Sequence, residues 1–422
     1  MATEKLPVEL RSFSKKTCNN TMVRSGKICI SGLGYIGLPT AALLANCGYF
    51  VHGVDVVPAV VDTINRGEIH IIEPDLDAFV QAAVNSGHLK ASLQPAEADV
   101  FMIAVPTPFR EDHSPDISYV LSAGRAIAPY LRPGNLVILE STSPVGTTER
   151  LCHELKQCGV DTEKVFFAYC PERVLPGHVM KELIENDRIV GGLNEESTEK
   201  VAAFYQTFVK GDVLKTNSRT AEMCKLTENA SRDAGIAFAN ELSMICDQLE
   251  IDVWELIRLA NKHPRVNILR PGTGVGGHCI AVDPWFIVSQ SPEYARLIRT
   301  SREVNNHKTQ WVVEKIINAC LRFRLEHGRE PVLACLGLAF KPDIDDLRES
   351  PAAEVVESLI REGNKCLIVE PNVLTHAEFE LTSLEDALNK ADIAVLLVCH
   401  SVFRRQTFPP SLQVLDFVGL HS

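Results

Sequence analysis

The strongest constraint on this chain's fold is a run of 27 residues, 28–54, without a single Asp, Glu, Lys or Arg. Its length would suit a membrane span. Five glycines and Pro39 break it where a buried strand, a tight turn, a helix and a second strand would meet, so the span is rejected. The expected elements are a strand over 27–31, a helix over about 38–47 and a strand over 49–55. Gly32-Leu33-Gly34-Tyr35-Ile36-Gly37 joins the first two as a GxGxxG match, and Asp55 follows 18 residues after Gly37. A lone match is also what an ordinary tight turn gives. With a strand before it, a helix after it and an acidic residue closing the next strand, it reads as a dinucleotide fingerprint. The glycines let a pyrophosphate approach the helix N-terminus, and the carboxylate accepts both ribose hydroxyls. Asp55 would repel a 2′-phosphate, which points to NAD rather than NADP.

Apolar runs recur at 100–105, 136–140, 165–169 and 189–191, separated by helical patterns, as in a doubly wound parallel α/β sheet. From residue 198 to about 324 the pattern is almost wholly helical, and 221–249 is long enough for a helix bridging two domains. After Pro331 the alternation returns, with a strand over 332–337, a helix over 351–362 and a strand over 366–369. Ala98-Asp99-Val100-Phe101-Met102-Ile103-Ala104-Val105 is echoed by Ala391-Asp392-Ile393-Ala394-Val395-Leu396-Leu397-Val398. Each octet follows a strand ending in an acidic residue, Asp55 or Glu370. The expected organisation is α/β, with two Rossmann-like doubly wound domains joined by a central helical region. Its parts are an N-terminal extension (1–24), an NAD-binding domain (25–210), a central helical domain (211–328) and a C-terminal Rossmann-like domain (329–422). The ligand site is expected in the cleft between the α/β domains. The extension is polar without an apolar signal core, and Glu4 and Glu9 are unlike an acid-poor transit peptide.

A chain of 422 residues is too long for one ordinary core. Its formal net charge of -12 argues against nucleic acid or an anionic membrane as a partner, although a local basic pocket for a phosphorylated ligand is compatible with it. The thirteen cysteines include no CxxC pair and no Cys/His cluster at zinc spacing. Reduced thiols in the cytoplasm, and no metal, are expected.

The chemistry concentrates at Gly272-Thr273-Gly274-Val275-Gly276-Gly277-His278-Cys279, with Asp283 four residues beyond. Four glycines let a bulky ligand approach the backbone, and the loop ends on a thiol. Most lone cysteines are buried and inert. Cys279 differs by ending such a loop, with Lys225 a possible cationic neighbour that would favour the thiolate. Lys225, Asn229 and Arg232 share one helix face at i, i+4 and i+7; a solvated face carries the same residues, and Glu222 or Glu228 could pair with the cations. Val105-Pro106-Thr107-Pro108 and Ser141-Thr142-Ser143-Pro144-Val145-Gly146-Thr147 follow strands, and Thr107 and Thr142 offer hydroxyls to a cofactor or a water. Plain loop capping is the alternative for each. Lys341 and Arg348 can meet an anion, or pair with Asp345 or Asp346 at a helix entry.

These motifs, with Ala168-Tyr169-Cys170-Pro171-Glu172-Arg173-Val174-Leu175-Pro176-Gly177 and His263-Pro264-Arg265-Val266-Asn267-Ile268-Leu269, resemble those of the nucleotide-sugar 6-dehydrogenases, the UDP-glucose/GDP-mannose dehydrogenase family. The resemblance runs from about residue 27 to residue 400. It implies that Cys279 is the nucleophile and Lys225 the proton donor and acceptor. Glu172, Asn229, Asp283 and Thr142 match the groups that order water or assist proton transfer. Arg173, Val174, Lys225, Asn229, Arg232, His263, Arg265 and Gly276 match positions holding the UDP-sugar, with Phe340 and Lys341 on its UDP part. Gly32, Gly34, Tyr35, Ile36, Gly37, Asp55, Thr107, Thr142 and Arg348 match the NAD site. A homodimer through the central helices is implied, with parts of the substrate site borrowed across it. One departure is Asp416-Phe417-Val418-Gly419, where the family usually has a basic residue near Val418.

The reaction implied is a four-electron, NAD-dependent oxidation of the sugar C6 alcohol to a carboxylate, through a cysteine thiohemiacetal and thioester, feeding polysaccharide synthesis. Arg232-Asp233 and His263-Pro264-Arg265 favour a UDP-N-acetylhexosamine by resemblance, with UDP-N-acetyl-D-mannosamine first. UDP-N-acetylglucosamine, UDP-N-acetylgalactosamine and UDP-glucose are alternatives. Two other readings are a two-electron dehydrogenase with a structural Cys279 and a non-catalytic nucleotide-sugar binder.

Overall fold

The computed structural model describes residues 26–420 except Glu111, Pro176 and His278, so the expected extension lies outside the described residues. The chain divides into two compact units between Leu226 and Thr227, a boundary inside the helix Ser218–Gln248. The first unit is built on β1 (Lys27–Ser31), β2 (Phe50–Val54), β3 (Leu89–Ser92), β4 (Val100–Ile103), β5 (Leu136–Leu139), β6 (Phe166–Tyr169), β7 (Arg188–Gly192) and β8 (Val213–Asn217). Their order in the sheet is β3-β2-β1-β4-β5-β6-β7-β8. β1 to β6 run parallel, β7 pairs antiparallel with β6, and β8 is parallel to β7. Central strands such as Val-Phe-Met-Ile of β4 are buried throughout, as strands covered on both faces must be.

The second unit contains the sheet β10-β9-β11-β12, all parallel, from β9 (Val332–Leu336), β10 (Lys365–Val369), β11 (Ile393–Leu396) and β12 (Gln413–Asp416). The internal echo in the sequence is topological. β4 lies beside β1 in the first sheet and β11 beside β9 in the second. Each sheet reverses its winding at that strand, the switch point where α/β sheets place ligands. A left-handed glycine closes each first strand, Gly32 at φ 91° and Gly337 at φ 98°.

The long helices Ser218–Gln248 and Arg296–His327 meet the helical expectation for the middle of the chain. In the second unit they are joined by a buried ion pair, Arg302 to Asp233 at 2.6 Å, and Asn305 also donates to Asp233. β8 lies in the stretch expected to be almost wholly helical, and β3 and β12 had no counterpart among the expected strands. Among the described residues no helix is long and apolar enough to cross a membrane, which agrees with rejecting a span over 28–54.

Candidate active site

The three glycines of the fingerprint have three different reasons. A Cβ on Gly32 would lie 2.7 Å from the Ala104 carbonyl, and one on Gly37 would lie 1.7 Å from the Gly32 carbonyl. The fold itself demands those two. A Cβ on Gly34 would meet nothing within 4 Å, so that space is left for a ligand. Asp55 is held by two backbone amides: Leu33 donates to its Oδ2 and Val57 to its Oδ1, each at 3.0 Å. His70, which no sequence pattern singled out, stands beside it; desolvation holds its pKa below the ordinary value despite the Asp55 charge. Tyr35 is exposed and Ile36 half-buried on the same turn. The Thr107 hydroxyl is buried without a hydrogen-bond partner, an orphan that a bound cofactor would satisfy. Ser141 ties the two neighbouring loops by donating to the Val105 carbonyl at 2.6 Å, and Thr142 follows it, half-buried. These features fit NAD: Gly34 would receive its pyrophosphate and Asp55 its adenosine ribose.

Glu172 is buried against Arg188, its Oε2 accepting from the guanidinium at 2.6 Å and its Oε1 from the Arg173 amide at 2.7 Å. Beyond them Tyr205 donates to Glu140 Oε1 at 2.6 Å, and Glu140 Oε2 has no partner. Burial first, and the Glu172 charge second, push the Glu140 carboxyl up to about 7. The loop that carries Arg173 and Val174 is anchored by Glu73, whose carboxylate takes the amides of Gly177 and Val179 at 2.9 and 2.8 Å. Arg173 itself donates to the Asp187 carbonyl at 3.2 Å.

On the helix Ser218–Gln248, Glu222 does not pair with the nearby cations. It is fully buried and accepts from Gly146 N at 2.6 Å, Thr148 N at 2.8 Å and the Thr148 hydroxyl at 2.7 Å. One turn on lies half-buried Lys225, and one turn beyond that Asn229, which donates to Asp283 at 2.5 Å. Asp283 is 3% exposed and opens the helix Asp283–Gln290. Its amide donates to the carbonyl of Cys279 at 2.8 Å, and Cys279 is exposed. The second unit thus joins the thiol-bearing turn, the carboxylate and the amide in one connected set. Arg232 is exposed on the next turn of the long helix.

The glycine loop is packed by the chain's own residues. A Cβ on Gly276 would lie 2.2 Å from the Glu349 carbonyl, and one on Gly277 would lie 2.8 Å from the Phe340 ring. A Cβ on Gly274 would lie 2.5 Å from the Thr309 hydroxyl; only Gly272 has open space. Phe340 therefore backs the loop, while Lys341 beside it is exposed. Arg348 makes a fork with Asp346 at 2.7 and 2.8 Å, the pairing weighed for a helix entry. His263 and Arg265 are exposed on a loop pinned by Asn261, which exchanges hydrogen bonds with Ile268. At the departure, Asp416 accepts the amides of Val418, Gly419 and Leu420, and Arg270 donates to the Gly419 carbonyl at 2.8 Å. Glu73, His70, Glu140, Arg188 and the His400 described below were missed by sequence reasoning. An arginine opening an apolar strand at 188 was the one visible signal.

A dinucleotide fold with open space at Gly34, an orphaned Thr107 and a fixed Asp55 defines an NAD-dependent oxidoreductase. Three family profiles match in chain order: the UDP-glucose/GDP-mannose dehydrogenase family NAD binding domain at 26–209, its central domain at 219–307 and its UDP binding domain at 334–415. The chain belongs to this family and is an NAD-dependent UDP-sugar dehydrogenase. It is 56% identical over 396 residues to the UDP-N-acetyl-D-mannosamine dehydrogenase of Escherichia coli K12, covering 89% of this chain and 94% of that one. It is 55% identical over 393 residues to the NDP-N-acetyl-D-galactosaminuronic acid dehydrogenase of Ralstonia nicotianae, covering 90% and 92%. The solved UDP-D-ManNAc dehydrogenase of Pyrococcus horikoshii superposes with a TM-score of 0.84 at 38% identity, covering 94% of this chain and 96% of that one.

Proposed function

We propose that this enzyme oxidises the C6 alcohol of a UDP-N-acetylhexosamine to the carboxylate in two successive two-electron oxidations through a thioester on Cys279. The observation that carries the reading is the connected set Cys279–Asp283–Asn229, with Lys225 one helical turn before Asn229. Bound NAD supplies the hydride acceptor for each oxidation. A base takes the C6 hydroxyl proton as hydride leaves, giving the aldehyde. The Cys279 sulfur adds to that carbon, and loss of a second hydride from the thiohemiacetal leaves a thioester. Water then displaces the thiol, which makes the sequence effectively irreversible. Lys225 moves the hydroxyl proton and supports the oxyanions; Glu172, Asn229, Asp283 and Thr142 order the water. Arg173, Val174, Arg232 and Gly276 hold the nucleotide sugar, with Phe340 and Lys341 on its uridine diphosphate.

UDP-N-acetyl-D-mannosamine is the preferred sugar, with the product consumed in polysaccharide synthesis. Relatives named for mannosamine and for galactosaminuronic acid are equally similar, so identity alone does not choose the epimer. The enzyme works as a cytoplasmic homodimer. Phe238 and Ile245 on the long helix and Leu249 just past its end form an exposed apolar stripe, with Leu259 exposed on the next helix, and the exposed His263 and Arg265 would complete the partner's site.

A panel of UDP-sugars, including the N-acetylglucosamine and glucose forms, followed by NADH absorbance, tests the substrate. The preferred sugar should give two NADH and one carboxylate per molecule. Cys279→Ala should bind substrate but lose acid formation. If it makes acid at a near-normal rate with two NADH, the thioester route is wrong.

A further inference from the structure

Among the described strands of the first sheet, β6 and β7 form the one antiparallel pair, and that pairing has a chemical consequence. Ala168 faces Gly192 and Tyr169 faces Gly191. Carried three residues past Tyr169, that register sets Glu172 opposite Arg188, the first residue of β7. A parallel strand at this place would start at the other end of the sheet. Arg188 is 1% exposed, and its guanidinium donates to Glu172 Oε2 at 2.6 Å and to the Leu183 carbonyl at 2.9 Å. The Tyr205 ring lies 5.8 Å beneath it.

We propose that Arg188 is a positioning residue for thioester hydrolysis, fixing the Glu172 carboxylate so that its remaining lone pairs align the attacking water. This rests on the reading of Glu172 and Cys279 given above. Glu172 has four acceptor directions, of which Arg188 and the Arg173 amide occupy two. With both oxygens tied, the carboxylate is held in one orientation, and two acceptor directions remain for water. In the step served, a water oxygen bonds to the acyl carbon and the carbon–sulfur bond breaks. One water proton returns to the Cys279 sulfur, and the acid leaves as its carboxylate with release of the other. Neither hydride transfer uses this water, so only the hydrolytic step depends on the alignment. Tyr205 donates to Glu140, leaving Glu172 as the carboxylate that pairs with Arg188.

The test is rapid mixing of full-length enzyme with NAD and UDP-sugar, reading NADH formation per active site and acyl-enzyme by intact mass. Glu172→Gln, Arg188→Met and Arg188→Lys are compared with the unmodified protein. Arg188→Met should give a fast burst of two NADH per site, then a steady rate slower by about 100-fold, the cost of an ångström-scale misplacement. A mass adduct on Cys279 should accumulate. Arg188→Lys keeps the charge but not the two separate donors to Glu172 and Leu183, so its hydrolysis should fall between the two and its fold should survive where Met does not. Suppose Glu172→Gln accumulates the adduct while folded Arg188→Lys and Arg188→Met lose activity only through a smaller folded fraction, with burst and steady rates in their normal ratio. Arg188 is then merely structural and the proposal fails. If Glu172→Gln itself accumulates nothing, the role given to Glu172 has failed first, and that outcome is distinct.

Discussion

Leu33 donates its backbone amide to Asp55 Oδ2 at 3.0 Å, tying the glycine turn to the end of the neighbouring strand. Glu370 holds the equivalent place in the second sheet, but its carboxylate is consumed. It accepts from Leu338 N at 2.7 Å and Ala339 N at 3.0 Å, contacts His400 Nε2 at 3.1 Å, and is 5% exposed. Asp55 is half-buried and retains lone pairs for a ribose. One plan, used twice, thus gives a dinucleotide site in the first domain and a closed scaffold in the second.

Two substitutions probe the open site. Asp55→Asn should narrow the preference for NAD over NADP, measured as the ratio of kcat/KM values, because the carboxylate that repels a 2′-phosphate is gone. Equal values for both cofactors in the unmodified enzyme would sink this account. Gly34→Ala should leave Tm within a degree or two, since its Cβ meets nothing, yet raise KM for NAD. A lowered Tm with KM unchanged would show that the fold, not the ligand, requires the glycine.

The closed scaffold makes a different prediction. His400 is fully buried; its Nδ1 accepts from Asp343 N at 2.9 Å and contacts Asn372 Nδ2 at 3.0 Å, which leaves Nε2–H for Glu370. Asp343 sits at φ 60°, a strained conformation for a residue with a side chain, two positions after Lys341. Removing His400 frees that loop. His400→Ala should raise KM for the UDP-sugar several-fold with KM for NAD nearly unchanged. An effect on both cofactor and sugar alike would point to general destabilisation.

The central strands were legible because strands buried on two faces must be continuous apolar runs; β4, β5 and β11 show this plainly. β3, β8 and β12 were not, since each is an edge strand interrupted by exposed polar residues, with no continuous apolar run to read. In the site, glycines, prolines and Cys279 announce themselves through local backbone needs. Arg188 and Glu172 meet through an antiparallel register, and Glu73 reaches residues 104 and 106 positions away. Such pairings depend on tertiary contacts that no local period encodes. The glycine loop was found for a reason that proved incomplete, because the group pressing on Gly276 and Gly277 is the chain itself.

Glu140 predicts a pH effect on stability. Its carboxyl is raised from 4.5 to about 7, so the folded chain keeps a proton that the unfolded chain releases. Its contribution is therefore full below about pH 4.5 and is lost as pH rises through about 7, amounting to roughly 3 kcal/mol. Glu140→Gln mimics the protonated form and should flatten that part of the curve. Denaturant unfolding of both proteins between those pH values measures the difference. Parallel curves would mean that the carboxyl is not raised.

Packing and ligand approach make separable demands on the glycines of the loop 272–277. At Gly276 an alanine Cβ would stand 2.2 Å from the Glu349 carbonyl, 2.7 Å from Pro351 and 2.9 Å from the Phe340 Cβ. Glu349 lies at φ 50°, just before the capped helix Pro351–Arg361, so its carbonyl has little room to yield. The loop must move instead, and Cys279, three residues on, moves with it. Gly276→Ala should cost about 1–3 kcal/mol of stability, as overpacking of a tight site does. It should also lower kcat and raise KM for the UDP-sugar, because both the thiol and the Phe340 contact shift. Gly272→Ala is the control: its Cβ meets nothing within 4 Å, so stability and kcat should stay near those of the unmodified enzyme. Equal stability losses in the two variants, by urea unfolding, would refute the packing account of this loop.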